Sequence, residues 1–295
     1  NYKAKKRYPD SNYGRYSDNE WVDIIFRKSF KKSENIGFDV VHIGERGSKW
    51  ENIDYNYKSK TENITDKKVL IIMAAYNSED TISYSIESVL NQTHENFILA
   101  IIDDSSTDNT YKIIKEYSQK DSRIRYYQSY ENKGAYYCRN IGLYHHINEV
   151  DYWTIHDADD KMYNYRLEKG LKNSKNNLAV SCYLKRVNIL TNKKISENLS
   201  GDHSNVLYDK KVFNKIGFYD SKTRFGGDSE YIFRFRKYFK QQNLKVLREN
   251  LFIAYNNGKN ETIINPVGSK KRRDYVYNYK NRNPLIINRS FKIYD

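Results

Sequence analysis

Cysteine and long apolar stretches are both scarce in this chain, and each shortage removes a class of protein. Two cysteines in 295 residues, Cys138 and Cys182, make neither a disulfide framework nor a thiolate metal cluster. The opening residues carry no secretory apolar segment, so a reducing compartment is expected. No apolar run approaches the roughly eighteen residues a membrane-spanning helix needs, and a soluble protein is expected. No internal repeat is apparent, which argues against a solenoid or propeller. Hydrophobic residues make up only 38% of the chain, but they fall in clear blocks, and the length suffices to bury a real core.

What the chain has in excess is tyrosine, 29 residues, and positive charge, +14. Many of the tyrosines suit half-buried positions where one edge stays wet. The charge gathers toward the end, in Lys270-Lys271-Arg272-Arg273 and then Lys280, Arg282, Arg289 and Lys292. Such a run fits anionic lipid, nucleic acid or an acidic polymer, or simply a solvated tail. No nucleic-acid-binding motif accompanies it, so no specific nucleic acid is expected.

Three regions differ in character. Residues 1–66 are polar and rich in Tyr, Lys and Asn, with one amphipathic helix candidate at Asp18–Phe30, and read as an N-terminal extension. Residues 263–295 form the basic C-terminal tail. Between them, residues 67–262 alternate regularly. The continuous apolar run at 69–73 suits a strand buried on both faces, 97–102, 124–127 and 151–155 read as further strands, and helical spacing fills 78–91, 107–119 and 134–146. That alternation predicts an α/β domain, a mostly parallel sheet flanked by helices. Ligands of such sheets sit at the carboxyl ends of the strands, where strand order reverses.

The residues at those strand ends carry chemistry. Asp157-Ala158-Asp159-Asp160 follows the fourth strand, and two carboxylates two residues apart offer hard oxygen ligands for Mg²⁺ or Mn²⁺ while leaving room for phosphates. Ala75-Tyr76-Asn77 follows the first strand, Asp103-Asp104 closes the second, and Arg139 lies in the third helix. An aromatic face, an acceptor, a cation and a metal site are what a nucleoside diphosphate requires. Asp228, in Gly226-Gly227-Asp228-Ser229-Glu230, is available as a base. Each residue also has a plain structural role open to it. Tyr76 can fill the core, Asp103, Ser105 or Asp108 can cap a turn, Arg139 can pair with a carboxylate, and Asp228 can cap the helix running to Phe239.

From Lys67 to Thr262 the chain resembles the family 2 inverting glycosyltransferases of the GT-A fold. The resemblance rests on Ala75-Tyr76-Asn77, Ser88–Thr93, Ile102–Thr110, Asp157–Asp160, Arg166-Leu167-Glu168, Val212–Asp220 and Gly227–Glu230, in the expected order. It implies transfer of a hexose or N-acetylhexosamine from a UDP-sugar to a glycan hydroxyl, with Mn²⁺ or Mg²⁺. Ala75, Tyr76 and Asn77 would line the nucleobase pocket, with Asp104 accepting from the uracil imide. Arg139 would approach the diphosphate, beside Asp157 and Ala158. Asp159 would be the main metal ligand, with Asp157 assisting, and Asp228 the general base. His203 and Glu230 are candidates for the acceptor side. The expected location is cytoplasmic, with the basic tail leaning on an anionic membrane.

Two departures stand out. Gly227 occupies a position where many relatives carry Glu, and residues 254–262 contain no histidine to serve as a late metal ligand. His156 falls on the opposite strand face from Asp157, which suits packing rather than ligation. Two rival readings are a sugar-nucleotidyltransferase and an inactive binding module. The first would need a glycine-rich phosphate loop, and Met73–Asn77 contains no glycine. Retention of both Asp159 and Asp228 argues against the second.

Overall fold

In a computed structural model, residues 64–200, 205–239, 243–256 and 268–281 are described. The candidate helix at Asp18–Phe30, His203, and Arg282, Arg289 and Lys292 lie outside the described residues.

The first half of the fold alternates strand and helix: β1 (Val69–Ala75), α1 (Ile82–Leu90), β2 (Phe97–Asp103), α2 (Thr110–Lys120), β3 (Ile124–Gln128), α3 (Ala135–His146) and β4 (Tyr152–Ile155). These four strands are parallel, in the order β3-β2-β1-β4. The chain steps outward from β1 to β3, then crosses back and lays β4 on the other side of β1. That reversal opens a crevice at the carboxyl ends of β1 and β4. Helices α1 and α2 start three or four residues later than their spacing predicts. Thr81 is the N-cap of α1, and the Asp108 carboxylate accepts from the Thr110 amide, so the preceding residues are held as turns.

Every residue of β1 except Ala74 is buried, and alternate side chains point to opposite faces. Leu70 and Ile72 join one core with α3, while Val69, Ile71 and Met73 join a second with Ile82, Ile86 and Val89 of α1. A continuous apolar run is what a strand between two cores requires. Helix α3 crosses β1 so closely that a Cβ at Gly142 would lie 2.6 Å from the Ile72 Cγ2.

The second half mixes parallel and antiparallel pairing, with β6 and β9 parallel: β5 (Lys161–Met162), α4 (Arg166–Lys172), β6 (Ala179–Asn188), β7 (Lys194–Ser200), β8 (Leu207–Asp209), α5 (Lys210–Ile216), α6 (Gly227–Tyr238) and β9 (Leu244–Asn256). Strand β8 pairs antiparallel with β4, so the sheet continues as β4-β8-β6-β9-β5, with β7 forming a hairpin on β6. Within the expected basic tail lies a helix, α7 (Lys270–Asn281), which rests on α6 through Tyr279 and Phe233. Among the described residues, no helix is long and apolar enough to cross a membrane.

Candidate active site

The crevice is bordered first by the turn after β1. Asn77 and Ser105 both adopt left-handed backbone conformations, with φ of 46° and 63°. Their two loops are laced together. The Asn77 amide donates to Ser106 Oγ, the Ser78 amide to Thr110 Oγ1 and the Glu79 amide to Asp108 Oδ2, while Asn77 Oδ1 accepts from the Thr107 amide. Above this lacing Tyr76 stands 49% exposed, which rules out core filling and leaves its ring at the crevice edge.

The two acids at the end of β2 divide their work. Asp103 caps its turn, accepting from the Ser106 amide and from Gln128 Nε2. Asp104 is buried beside the start of α3, where its carboxylate accepts the amides of Lys133 and Gly134 at 2.8 and 2.7 Å. A carboxylate suits that helix N-terminus, and each oxygen keeps a further lone pair for another donor.

The acidic loop after β4 is held from one side of α1. Ser85 Oγ donates to the Asp157 carbonyl, Thr81 Oγ1 to the Ala158 carbonyl and the Tyr84 hydroxyl to the Asp159 carbonyl, at 2.9, 3.0 and 3.0 Å. Ser88 completes the row, 3.4 Å from His156 Nε2. Hydroxyls at 81, 84, 85 and 88 fall on one helical face, and together they fix the loop backbone while its carboxylates point elsewhere. Burial and then the charges of Asp159 and Asp160 push the Tyr84 phenol up, so it remains a donor. Asp160 is itself buried and accepts the Tyr255 amide from β9.

Opposite the loop, α6 brings Asp228 to the same place. Arg139, 3% exposed on α3, bridges the two: Nη2 donates to Asp157 Oδ1 at 2.8 Å and Nη1 to Asp228 Oδ1 at 2.7 Å. Two ion pairs thus fix the guanidinium between the acidic loop and α6. The two acids hold the guanidinium well above its ordinary value against the opposing effect of burial. The Tyr136 hydroxyl donates to Asp228 Oδ2, and the Tyr136 ring lies under Arg139, 5.0 Å away. That ring also explains Gly227. A Cβ at position 227 would meet it at 2.8 Å, so Tyr136 occupies the space a larger side chain would need.

Two expectations for α6 are corrected. The helix begins at Gly227 with Gly226 as its N-cap, in a left-handed conformation, so Asp228 sits inside the first turn and is not the cap. Glu230 does not face the acceptor side. It is 1% exposed and paired with Arg234, whose guanidinium also donates to the carbonyls of Ile216 and Phe218. This sealed pair anchors α6 to the segment after α5.

His156 is a packing residue. It is buried edge-on to Phe252, and burial together with nearby Arg166 pushes its imidazole down to about 3. Among the described residues, no group of three or more His, Cys, Asp and Glu side chains could hold a metal. The donor set nearest to that task is the half-exposed pair Asp157 and Asp159.

The geometry agrees with what comparison with known proteins returns. Residues 70–247 match the model of glycosyl transferase family 2. The chain belongs to that family. A UDP-Glc:α-D-GlcNAc-diphosphoundecaprenol β-1,3-glucosyltransferase of Escherichia coli is 46% identical over 92 residues, 31% of this chain and 35% of the relative. An uncharacterised glycosyltransferase of Haemophilus influenzae is 41% identical over 103 residues, 35% of this chain and 40% of the relative. The chain therefore spans less than half the length of these curated relatives. Among solved structures, S. aureus TarS 1-349 in complex with UDP-GlcNAc superimposes with a TM-score of 0.56 at 19% identity, covering 67% of this chain and 60% of that one. The fold is accordingly of the GT-A type.

In this family member, sequence reading did not find Tyr136 or the hydroxyl row of α1. Tyr136 had no local signal, since its partner lies 92 residues away. The row did have one, the 81-84-85-88 spacing, but hydroxyls on a helix read by default as a solvent-facing stripe.

Proposed function

We propose that this family 2 protein is an inverting glycosyltransferase that moves a hexose or N-acetylhexosamine from a UDP-sugar to a hydroxyl of a glycan acceptor. The observation that carries the proposal is the convergence of Asp157 and Asp228 on Arg139 at the switch point of the sheet. One acid belongs to the donor loop, the other to the helix across the crevice, and a sugar held between them would meet both.

Ala75, Tyr76 and Asn77 would line the uracil pocket, with Tyr76 giving a ring face and Asp104 accepting from the imide. Asp157, Ala158 and Arg139 would border the diphosphate. Asp157 and Asp159 fit an open divalent site of hard oxygen ligands, completed by phosphate oxygens. A bound Mn²⁺ or Mg²⁺ would neutralise charge on the departing UDP. Asp228 takes the proton from the acceptor hydroxyl as that oxygen bonds to the anomeric carbon. The bond to the UDP oxygen breaks on the opposite face, and one displacement inverts the configuration. Arg139 and Tyr136 fix the Asp228 carboxylate in one orientation. The names of the E. coli relative and the UDP-GlcNAc-bound neighbour support a UDP-linked donor. We place the reaction in the cytoplasm.

Nucleotidyl transfer is disfavoured by the β1 turn. Its amides at Asn77, Ser78 and Glu79 already donate to side chains, so they are not available to cradle phosphates.

The test is UDP release from a panel of UDP-sugars with and without Mn²⁺. Metal-dependent turnover of one donor, lost in Asp159→Ala, is expected. Asp228→Asn is expected to abolish transfer while UDP affinity stays within about threefold, the pattern of a group that acts on the acceptor proton. Transfer at near wild-type rate in Asp228→Asn would remove it as the base.

A further inference from the structure

The helix that carries Asp228 is flanked by positive charge whose role the transfer chemistry leaves open. Helix α7 packs on the approach to α6. The Tyr275 ring would lie 3.3 Å from a Cβ at Gly226, its hydroxyl donates to Asp220, and the Arg272 guanidinium sits 5.7 Å from the Phe225 ring. Gly226 is the residue before α6, so the first turn of α7 lies within a few residues of Asp228. Lys270, Lys271 and Arg273 are exposed there, and Lys222 is exposed on the segment between α5 and α6. None of these four forms an ion pair among the described residues.

The polarity of α7 distinguishes between partners. A helix that binds a bilayer buries an apolar face in it. Here the buried Tyr279 and half-buried Tyr275 turn inward onto Phe233 and Phe225, and the outward face carries Lys270, Lys271, Arg273, Lys280 and a 70% exposed Tyr277. Nothing on that face is suited to enter lipid. Unpaired cations beside an open aromatic ring suit a polar chain with both charge and sugar faces.

We propose that α7 and the segment before α6 form the docking surface for an acidic acceptor glycan, one bearing carboxylate or phosphate groups along its chain. The inference rests on the glycosyltransferase reading above, because it takes the Asp228 side of the crevice as the acceptor side.

The experiment compares three proteins: wild type, K270Q/K271Q/R273Q on α7, and K112Q/K115Q/K120Q on the exposed face of α2 as a charge-matched control. The probes are fluorescein-labelled alginate oligosaccharide, labelled neutral dextran, and vesicles of phosphatidylglycerol and phosphatidylcholine. The expected result is saturable alginate binding that weakens at least tenfold in the α7 variant, by less than twofold in the α2 variant, and steeply with salt. Equal losses in both variants would overturn the proposal by showing a generic charge effect. Vesicle binding stronger than alginate binding, and lost in the α7 variant, would overturn it in favour of a membrane surface. Dextran binding equal to alginate would overturn the acidic character of the partner. Calorimetry with UDP on the same preparations reports on the donor site alone, so failure of the donor reading would be seen separately.

Discussion

Gly227 shows how one missing side chain can define an active site. Because the Tyr136 ring fills the space a Cβ would occupy, the site keeps a tyrosine hydroxyl on Asp228 in exchange for a side chain at 227. Gly227→Glu should therefore displace Tyr136, loosen the Asp228 carboxylate and lower the transfer rate at least tenfold, with UDP affinity little changed. Combining it with Tyr136→Ala should restore thermal stability but not rate, and melting curves beside steady-state rates would check both. At His156 the consequence is one of pH. Its folded-state value of about 3 lies below the ordinary 6.5, so between pH 6.5 and 3 the unfolded chain binds a proton the folded protein refuses. Stability from this residue is fully present above pH 6.5 and lost as pH falls through that window, by several kcal/mol on the scale of about 1.4 per unit. Urea midpoints at pH 7.5 and 4.5 should diverge more for wild type than for His156→Gln. The burial of His156 was legible from strand alternation beside Asp157. The exclusion of Glu230 was not, because its partner Arg234 reads equally well as a surface i, i+4 pair.

Helix α1 serves the site through hydroxyl donors. Its N-cap Thr81, Tyr84 and Ser85 hold three successive carbonyls of the acidic loop, and a lost donor leaves a carbonyl short of its partner. Thr81→Val and Ser85→Ala are each expected to cost about 1–3 kcal/mol in denaturant midpoint analysis. Both should weaken metal-dependent UDP binding more than metal-free binding, since the loop that loosens is the one bearing Asp157 and Asp159. Equal weakening would mean that the row serves stability alone. Elements of this half were legible because β1 and β2 are buried on both faces and read as unbroken apolar runs. Their helix starts were less so, since the residues just ahead of α1 and α2 bond to one another across loops about 30 residues apart.

For the whole molecule, the divide between legible and illegible follows the divide between the parallel first half of the sheet and the mixed second half, where β6 and β9 pair parallel among antiparallel neighbours. Strand β5 is two residues long, β9 mixes exposed and buried positions without a clean period, and β6 shifts register against both β7 and β9. Such strands are specified by their neighbours more than by their own sequence. The two halves meet at Trp153 of β4, stacked on Tyr208 of β8 at 4.7 Å and edge-on to Tyr231 of α6 at 5.4 Å. Trp153→Ala should cost about 3–5 kcal/mol, and chemical denaturation would measure it. The position of β8 carries a further consequence for synthesis. Residues 69–160 leave the ribosome before β8 and include both loops of the donor crevice, but β4 then has no neighbour on its far side until residue 207 arrives. During that interval the nascent chain presents the unguarded edge of a strand that the finished fold buries at every residue, the kind that recruits other chains. A protein that builds its sheet in this order depends on elongation outrunning self-association, and slowed translation between residues 160 and 207 should show first as loss of soluble yield.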